Sequence, residues 1–273
     1  MHPSEQPGER PVAGPIERAP VDRGPIVCAI PARLASIRLP GKVLRPLAGR
    51  PLIEHVVERA LGATTVDRVV VLTEDARVRD AVLAFGGECE MTPAGCPTGT
   101  DRVAWAARGW DAAAVINVQG DEPLLDPAHV DLLARLLRAS PEVEMATLAA
   151  PADPGDLADP AKVKVVCDRA GRALYFSRAA IPHARDGGVP PALRHVGIYA
   201  YRRDVLLRLA DLDRTPLERC EALEQLRALE HGIGIRVLEV EHHGFGVDTE
   251  ADLARAEALL AGTAPVAHPV QSD

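Results

Sequence analysis

The sequence predicts an α/β fold with a mostly parallel sheet, helices on both faces of that sheet, and an antiparallel β addition. Short, continuously apolar runs alternate with amphipathic segments over the first half of the chain. Fully apolar strands are typical of parallel sheets, which helices cover on both faces. Between residues 144 and 202, strand-like segments follow one another with little helical sequence between them, which indicates antiparallel strands.

The first half of the chain supplies the parallel strands and the helices that join them. Each predicted strand is an uninterrupted apolar run, and each predicted helix repeats its apolar residues at helical spacing. The strands are predicted at 25–30 (PIVCAI), 67–73 (DRVVVLT) and 113–119 (AAVINVQ). The helices are predicted at 51–61, 74–87, 100–110 and 126–140.

The second half of the chain supplies the antiparallel addition and the last parallel elements. Strands are predicted at 144–151, 162–168, 172–177, 195–202 and 235–242. DRAG (168–171) has the composition of a hairpin turn between two of them. A single long helix is predicted at 216–232, where a glycine ends it. A final helix is predicted at 249–262, opened by Thr249 with capping-box spacing to Asp252.

Composition and charge narrow the classes of protein that this sequence can encode. The chain has 273 residues, of which 47% are hydrophobic and 26% are charged, as is common in soluble globular proteins. Its net charge of −8 argues against broad nucleic-acid binding, because phosphate backbones need a basic face. No apolar run approaches the roughly 20 residues that span a bilayer. We therefore expect neither a nucleic-acid partner nor a membrane partner.

The cysteines and the two ends of the chain indicate the compartment and the domain limits. Five scattered cysteines without a CxxC pair favour free thiols in a reducing cytoplasm. The first residues have no apolar centre and do not resemble a secretory signal. Residues 1–24 are predicted to be a disordered extension and residues 263–273 a disordered tail, because Pro, Gly and polar residues are frequent there. One domain is predicted from 25 to 262.

A loop rich in basic residues follows the first predicted strand. The stretch IPARLASIRLPGKVL (30–44) contains Arg33, Arg38 and Lys42, and Lys42 is one of only three lysines in the chain. Ligands bind at the carboxyl ends of strands in open α/β sheets, where basic side chains can hold a phosphate. Gly41 allows close backbone approach, and a lysine can follow a moving phosphate. On spacing alone, a phosphate site and a solvated loop paired with surface acids are both open.

Two acidic stretches are candidates for a metal site. In VQGDEPLL (118–125), Asp121 and Glu122 directly follow a buried strand, while Asp126 takes the role of helix cap. In FGVDTEADL (245–253), Asp248 precedes the cap Thr249. Mg²⁺ prefers one or two carboxylates together with phosphate oxygens and water. Taken alone, Asp248 is better explained as a doubled capping signal, and its value is as a candidate second Mg²⁺ ligand opposite Asp121.

Polar residues in the second half of the chain are harder to interpret. Arg178 and His195 lie close to strands that are otherwise apolar, and EALEQLR (221–227) lies on a predicted helix. A lone histidine beside a strand is more often a satisfied structural residue than a ligand. Spacing alone does not bring these segments together.

Taken in order, these stretches resemble one known family. IPARLASIRLPGKVL, TGTDRVAWA, VINVQGDEPLL, LRHVGIYAYR, PLERCEALEQLRAL and GFGVDTEADLARA are similar to motifs of CMP-Kdo synthetase, the 3-deoxy-manno-octulosonate cytidylyltransferase family. The resemblance runs from about Pro25 to Leu260, and several motifs in the same order are far more specific than any one of them. It implies a nucleotidyltransferase (Rossmann-like) fold and a homodimer.

The resemblance also implies a reaction. CTP and an acidic acceptor, 3-deoxy-D-manno-octulosonate (Kdo), give CMP-Kdo for lipopolysaccharide and release pyrophosphate, with Mg²⁺ as cofactor. Catalysis of this kind depends on positioning and charge neutralisation, without a covalent enzyme nucleophile.

The family's functional residues are expected at matching positions of this chain. Arg33, Arg38 and Lys42 would bind the triphosphate, and with Asp121 they form the expected catalytic set. Thr98, Gly99, Thr100 and Asp101 would cradle the cytidine. Asp121 and Asp248 would hold Mg²⁺. The acceptor would be bound by Gln119, Arg178, His195, Tyr199, Glu224 and Gln225, with Arg178 as the natural partner of its carboxylate.

Departures from the family pattern leave the acceptor open. They fall at 35–38 (ASIR), 73–78 (TEDARV) and 96–100 (CPTGT), around the expected nucleotide and acceptor regions. Together with the long N-terminal extension and a composition typical of GC-rich genomes, they make a phosphonate such as phosphonoformate, in an antibiotic pathway, a rival acceptor. Arg178, His195 and the LEQL motif favour the sugar acid. A nucleotide sensor without turnover and a transferase for another nucleotide or for sialic acid are further alternatives.

Overall fold

The computed structural model describes residues 24–35, 38–188, 190–241 and 244–262. Apart from Gly24, the predicted disordered extension (1–24) and tail (263–273) lie outside these residues, so both remain predictions.

The described residues form strands and helices in alternation. The strands are β1 (Ile26–Pro31), β2 (Pro46–Leu47), β3 (Arg50–Pro51), β4 (Arg68–Thr73), β5 (Cys89–Met91), β6 (Ala114–Asn117), β7 (Met145–Pro151), β8 (Lys164–Cys167), β9 (Ala173–Ser177), β10 (Leu193–Arg202) and β11 (Ile235–Glu239). The helices are α1 (Leu52–Leu61), α2 (Ala76–Ala84), α3 (Gly99–Ala107), α4 (Pro127–Ala139), α5 (Pro154–Ala158), α6 (Arg203–Asp211), α7 (Pro216–Glu221), α8 (Gln225–Glu230) and α9 (Glu250–Leu260). A short 3₁₀ helix covers Lys42–Leu44.

The central sheet is mostly parallel, as the apolar runs predict. Its strand order is β5–β4–β1–β6–β10–β7–β11. β1 pairs in parallel with both β4 and β6, and β7 pairs in parallel with β11. β10 pairs antiparallel with β6 and β7, so among the described strands of this path β10 alone runs against the rest.

The antiparallel addition is also confirmed. β8 pairs with β10 and with β9, and each of these pairs is antiparallel. The turn between β8 and β9 falls at 168–171, where the Asp168 carboxylate accepts hydrogen bonds from the backbone N–H groups of Ala170 and Arg172. Gly171 closes the turn with a φ of 73°, a conformation that costs glycine little.

The core lies on both faces of the sheet because the buried strands place alternate residues on opposite sides. On β1, Ile26, Cys28 and Ile30 pack in one cluster with α1, α4 and α9. Val27 and Ala29 pack in the other cluster with α3 and α6. Every residue of β1 is buried, which explains why the run is apolar without alternation.

The single long helix predicted at 216–232 is wrong, because the chain breaks between α7 and α8. Ala222 adopts the left-handed conformation with a φ of 52°, at a cost of about 1–2 kcal/mol for a residue with a Cβ. The last carbonyl of α7 receives its hydrogen bond from outside the helix, because the Arg178 guanidinium donates to the Glu221 carbonyl at 2.8 Å. Helical periodicity cannot report such a tertiary contact.

Some elements carry no clear sequence signal. α6 follows β10 without a loop, and β5 extends only from Cys89 to Met91 at the sheet edge. In the described part of the chain, none of the helices combines the length and the apolar character needed to cross a membrane.

Candidate active site

The candidate site lies where the strand order of the parallel sheet reverses. The chain passes from β1 to β4 on one side and later returns to β6 on the other, so the loops after β1 and β6 flank a crevice. These loops pack closely, since a Cβ added at Gly120 would lie 2.8 Å from the Pro31 carbonyl oxygen. Glycine is therefore required where the loop after β6 crosses the end of β1.

The basic loop brings Lys42 between two carboxylates. Gly41 has a φ of 67° and leads into the 3₁₀ helix that begins at Lys42. The Lys42 Nζ lies 2.5 Å from Asp121 Oδ2 and 2.8 Å from Asp248 Oδ1. Arg38 Nη2 lies 2.7 Å from Asp248 Oδ2. The structure thus brings together four of the residues that the sequence assigned to phosphate and metal binding.

These charges set the ionisation of Lys42. Its side chain is only 12% exposed, and burial by itself would lower the pKa of the ammonium group. The contacts with Asp121 and Asp248 outweigh burial and hold the pKa above its ordinary value. Lys42 therefore carries a full positive charge at neutral pH.

Backbone contacts hold the two acidic loops side by side. The Val247 N–H donates to the Asp121 carbonyl at 2.9 Å, which ties the segment before α9 to the loop after β6. The Asp248 N–H donates to Asp252 Oδ2 at 3.1 Å. Asp252 belongs to the capping box with Thr249, as predicted, so the cap also orients Asp248. Asp248 and the helix cap are thus parts of one arrangement.

A second basic residue links the first loop to α3. The Arg33 Nη1 donates to the Pro97 carbonyl at 3.0 Å, just before the helix. Thr98 and Asp101 cap one another in a reciprocal capping box. A Cβ added at Gly99 would lie 3.2 Å from Pro31 Cγ, so the start of α3 packs against the end of β1. The segment assigned to cytidine binding therefore lies beside the crevice.

A cavity of about 420 Å³ shares the loop after β6 with this charge cluster. Its lining combines polar residues with Met145 of β7, the tyrosines of β10, Leu209 of α6, and Ala222 and Leu223 from the break between α7 and α8. Five of the residues predicted to bind the acceptor contribute to it: Gln119, Arg178, Tyr199, Glu224 and Gln225. Gly99 and Thr100, from the segment assigned to cytidine, line the same cavity. Gln119 lies two residues before Asp121, so one loop serves both the cavity and the acidic pair.

Arg178 is anchored by backbone carbonyls at the cavity wall. Its Nε donates to the Glu221 carbonyl, its Nη1 donates to Pro160 at 3.0 Å, and its Nη2 donates to Ala222 at 3.4 Å. In turn, the Glu221 carboxylate accepts from the Arg178 backbone N–H at 2.9 Å. Arg178 thus presents a fixed positive charge at the break between α7 and α8.

His195 lies behind the cavity wall, and the structure does not place it with the lining residues. Its Nε2 is 2.9 Å from Thr147 Oγ1, and its ring packs 5.2 Å from the rings of both Phe176 and Tyr199. Burial lowers its pKa to about 3, so the imidazole is neutral at physiological pH. In this structure His195 supports Tyr199, and its contact with an acceptor stays a prediction.

A buried ion pair beside the cavity was not predicted from the sequence. Arg227 lines the cavity and donates to Glu218 through Nε at 2.8 Å and Nη2 at 2.6 Å. Glu218 is fully buried, and it also belongs to the capping box of α7 with Thr215. In the sequence, Glu218 and Arg227 resemble the polar face of an amphipathic helix, so nothing in the local pattern distinguishes them.

Two further polar residues lie near the end of β6: Asn117 is its last residue, and Glu122 is in the loop that follows. Burial raises the pKa of Glu122 to about 8, the charge of Asp121 adds to this effect, and Arg194 partly opposes it. Asn117 is buried, and neither polar atom of its side chain has a hydrogen-bond partner among the described residues. The sequence pattern singles out Glu122 as following a buried strand, and it does not single out Asn117.

The donor set at the crevice suits Mg²⁺ if a nucleotide completes it. The described residues contain no cluster of three or more His, Cys, Asp or Glu side chains that could hold a metal by itself. Asp121 and Asp248 already share one cation, the Lys42 ammonium. Mg²⁺ commonly takes one or two carboxylates together with substrate phosphates and water, so this pair fits a nucleotide-bound Mg²⁺.

Comparisons with known proteins agree with this geometry. The cytidylyltransferase family model matches residues 27–237. A 3-deoxy-manno-octulosonate cytidylyltransferase from Syntrophotalea carbinolica is 49% identical over 247 residues, which is 87% of this chain and 99% of that protein. The one from Myxococcus xanthus is 51% identical over 236 residues, which is 86% of this chain and 96% of that protein.

Solved structures show the same likeness. The structure of a CMP:2-keto-3-deoxy-manno-octonic acid synthetase complexed with CTP superposes with a TM-score of 0.85 and 45% identity. The match covers 87% of this chain and 99% of that one. The 4-diphosphocytidyl-2C-methyl-D-erythritol synthase from Anaerococcus prevotii is 14% identical with a TM-score of 0.59, covers 88% of this chain and 98% of that one, and shares the fold alone.

Proposed function

The chain belongs to the 3-deoxy-manno-octulosonate cytidylyltransferase (CMP-Kdo synthetase) family, and from this premise we propose that it transfers CMP from CTP to 3-deoxy-manno-octulosonate. The observation that carries the proposal is that the charge cluster and a cavity with both polar and apolar walls share the loop after β6. That loop supplies Asp121 to the cluster and Gln119 to the cavity, so a nucleotide in the crevice would point its α-phosphate toward an acceptor in the cavity.

The proposed chemistry is a single displacement at phosphorus. A hydroxyl oxygen of the sugar acid forms a bond to the α-phosphorus, the bond from that phosphorus to the bridging oxygen breaks, and pyrophosphate leaves. The hydroxyl proton passes to solvent. Mg²⁺, held by Asp121 and Asp248 and the nucleotide phosphates, would neutralise charge on the triphosphate.

The residues of the charge cluster divide this work. Lys42, Arg38 and Arg33 would bind the phosphate oxygens, and positive charge fixed beside a phosphoryl group stabilises the charge of its transition state. Thr98, Gly99, Thr100 and Asp101 would hold the cytidine beside the end of β1.

The cavity would hold the sugar acid. Arg178 would pair with its carboxylate, because a guanidinium matches a carboxylate in geometry and charge. Gln119, Tyr199, Glu224 and Gln225 would contact its hydroxyl groups, with His195 behind Tyr199. Since Arg178 is held by three carbonyl oxygens, the acceptor pocket is largely formed before the acceptor binds.

An acceptor panel tests the proposal. Pyrophosphate release is measured with CTP, Mg²⁺ and either 3-deoxy-manno-octulosonate, a sialic acid or phosphonoformate. We expect 3-deoxy-manno-octulosonate to be the acceptor with the highest kcat/KM. Preferential use of phosphonoformate would assign the chain to phosphonate synthesis. Nucleotide binding without any pyrophosphate release would instead indicate a nucleotide sensor that does not catalyse transfer. Replacing CTP by UTP, ATP or GTP should abolish turnover.

The cellular setting is also part of the proposal. The product would supply lipopolysaccharide synthesis from the cytoplasm, and the protein would act as a homodimer. These assignments rest on the resemblance to the family. Loss of lipopolysaccharide on depletion of the protein, cell fractionation and analytical ultracentrifugation test them in turn.

A further inference from the structure

The charge cluster of the crevice is already balanced without any bound ion. Lys42 contacts one oxygen of each acid, at 2.5 Å from Asp121 and 2.8 Å from Asp248, and Arg38 contacts the other oxygen of Asp248. Two positive charges therefore face two carboxylates. The ammonium group holds one oxygen of each carboxylate, so a metal ion bridging the two acids would compete with it for those oxygens.

A metal ion and the Lys42 ammonium compete for these oxygens. Mg²⁺ binds carboxylate oxygens at about 2.0–2.1 Å and keeps strict octahedral geometry. An ammonium group hydrogen-bonded to the same two carboxylates occupies the space and the lone pairs that the metal needs, and like charges at this range repel. The free carboxylate pair is therefore a poor site for a metal that arrives alone.

Resting on the proposed function, we propose that Lys42 is an internal counter-ion that occupies the magnesium site of the free protein and leaves it when the nucleotide triphosphate arrives. The triphosphate offers the ammonium group new anionic partners, and the vacated carboxylates then accept the metal. Metal and nucleotide consequently bind with positive coupling, which by thermodynamic linkage is reciprocal.

The side chains around the cluster suit this exchange. The Lys42 side chain is 12% exposed, whereas those of Asp121 and Asp248 are 28% and 38% exposed, so the acids remain open to a metal from solvent. Lysine carries a compact charge on four flexible methylene groups and can move between two sets of partners. Among the acids of the described residues, Arg38 contacts Asp248 alone, and its side chain is 66% exposed, so it cannot replace the bridge.

Manganese binding in the absence of nucleotide tests the proposal. Mn²⁺ titrations followed by the electron paramagnetic resonance of the free ion are made on the full-length wild type and on Lys42→Met. We expect Lys42→Met to bind Mn²⁺ about tenfold or more tightly than the wild type, because the competing cation is gone. Equal or weaker binding by Lys42→Met overturns the proposal.

Arg45→Met provides the matched control. Arg45 lies in the same loop but pairs with Glu250 at 2.7 Å and contacts neither Asp121 nor Asp248. The Arg45→Met substitution removes one positive charge from the same region, so this variant reports any general electrostatic effect on cation binding. We expect its Mn²⁺ affinity to stay within about twofold of the wild type. A gain as large as that of Lys42→Met would show a nonspecific charge effect and overturn the proposal.

A second measurement uses the unaltered protein. The chain has three lysines, Lys42, Lys162 and Lys164, so NMR of lysine labelled at Cε gives few signals to assign. We expect the Lys42 signal to stay unchanged with Mg²⁺ alone and to shift with CTP. A shift with Mg²⁺ alone, of the size that CTP causes, contradicts the proposal.

The outcomes separate this proposal from the proposed function. The manganese titration needs no acceptor and no turnover, so it remains informative whichever acceptor the enzyme uses. If CMP transfer is observed but Lys42→Met binds Mn²⁺ no better, only the exchange is rejected. If no acceptor supports transfer, the competition between Lys42 and the metal can still be measured.

Discussion

The two halves of the candidate site are built on different principles. At the crevice, Lys42, Asp121 and Asp248 contact one another through charges on loops, and a ligand must exchange those contacts. At the cavity, Arg178 is held by backbone carbonyls, and Glu218 holds Arg227 by two hydrogen bonds. On the proposed function, the crevice must rearrange when nucleotide and metal bind, whereas Arg178 and the Glu218–Arg227 pair at the cavity are already held in place.

This difference predicts different consequences of mutation in each half. Changes at the crevice should affect turnover with little effect on folding, since its ion pairs are partly exposed and contribute little to stability. Changes beside the cavity should affect stability or acceptor binding, because the Glu218–Arg227 pair is buried and hydrogen-bonded and Arg178 is held by backbone carbonyls.

The largest effect is expected from Asp121→Asn. This substitution removes the charge of the proposed metal ligand and almost no volume, so turnover should fall by about 100-fold or more while the melting temperature changes little. Steady-state assays of pyrophosphate release and thermal unfolding measure the two effects.

Asp126→Asn is the control for that variant. Asp126 lies on the same loop, but its side chain caps α4, a role that asparagine also performs well. Its turnover should match the wild type. Near-normal turnover of Asp121→Asn would exclude Asp121 as a metal ligand.

The largest effect on stability is expected from Glu218→Gln. Glutamine keeps the shape but leaves the buried Arg227 without its counter-charge, so the free energy of unfolding should fall by about 3 kcal/mol. Urea denaturation measures the loss. Glu250→Gln, which weakens an exposed pair with Arg45, should cost less than about 0.5 kcal/mol. Similar small losses for both variants would refute the view that the cavity depends on its buried pair.

Arg178→Ala tests whether the cavity side of the site serves the acceptor rather than CTP. It removes the expected partner of the acceptor carboxylate, so the KM for the acceptor should rise by about 10- to 100-fold while the KM for CTP changes less. Arg172→Ala is the control, because Arg172 pairs with Asp168 at the hairpin turn and does not line the cavity. Equal losses for acceptor and CTP would remove the assigned role of Arg178.

A smaller effect concerns pH and the neutral His195. Its folded-state pKa of about 3 lies below the ordinary value of 6.5, so the unfolded chain takes up a proton first. His195 therefore lowers the stability as pH falls from about 6.5 toward about 3, by about 1–2 kcal/mol between about pH 7 and about pH 5. Glu122 has the opposite effect: because its folded-state pKa is raised from 4.5 to about 8, its contribution to stability decreases as pH rises above about 4.5.

Comparing His195→Gln with the wild type separates the pH-dependent stability contribution of His195 from that of Glu122. His195→Gln keeps Glu122 and removes the imidazole, so its urea-derived stability should fall less steeply than that of the wild type over the acid range. Parallel curves for the two proteins would show that His195 titrates alike in the folded and unfolded states.

The sequence predicted the crevice better than the cavity, for a physical reason. The carboxyl ends of parallel strands meet at one edge, so the strand pattern alone brings the loops holding Lys42 and Asp121 together. The cavity depends on a left-handed Ala222 and on the contact between Arg178 and the end of α7, and neither has a local signature. The site roles of both halves came from the resemblance to the family.

The most direct test of the account is a ³¹P NMR time course with CTP, Mg²⁺ and 3-deoxy-manno-octulosonate. The account predicts that one phosphodiester signal of a CMP conjugate and the pyrophosphate signal rise together with the wild type and are absent with Asp121→Asn. Unchanged CTP signals with the wild type, or CTP consumption without a phosphodiester, would contradict it.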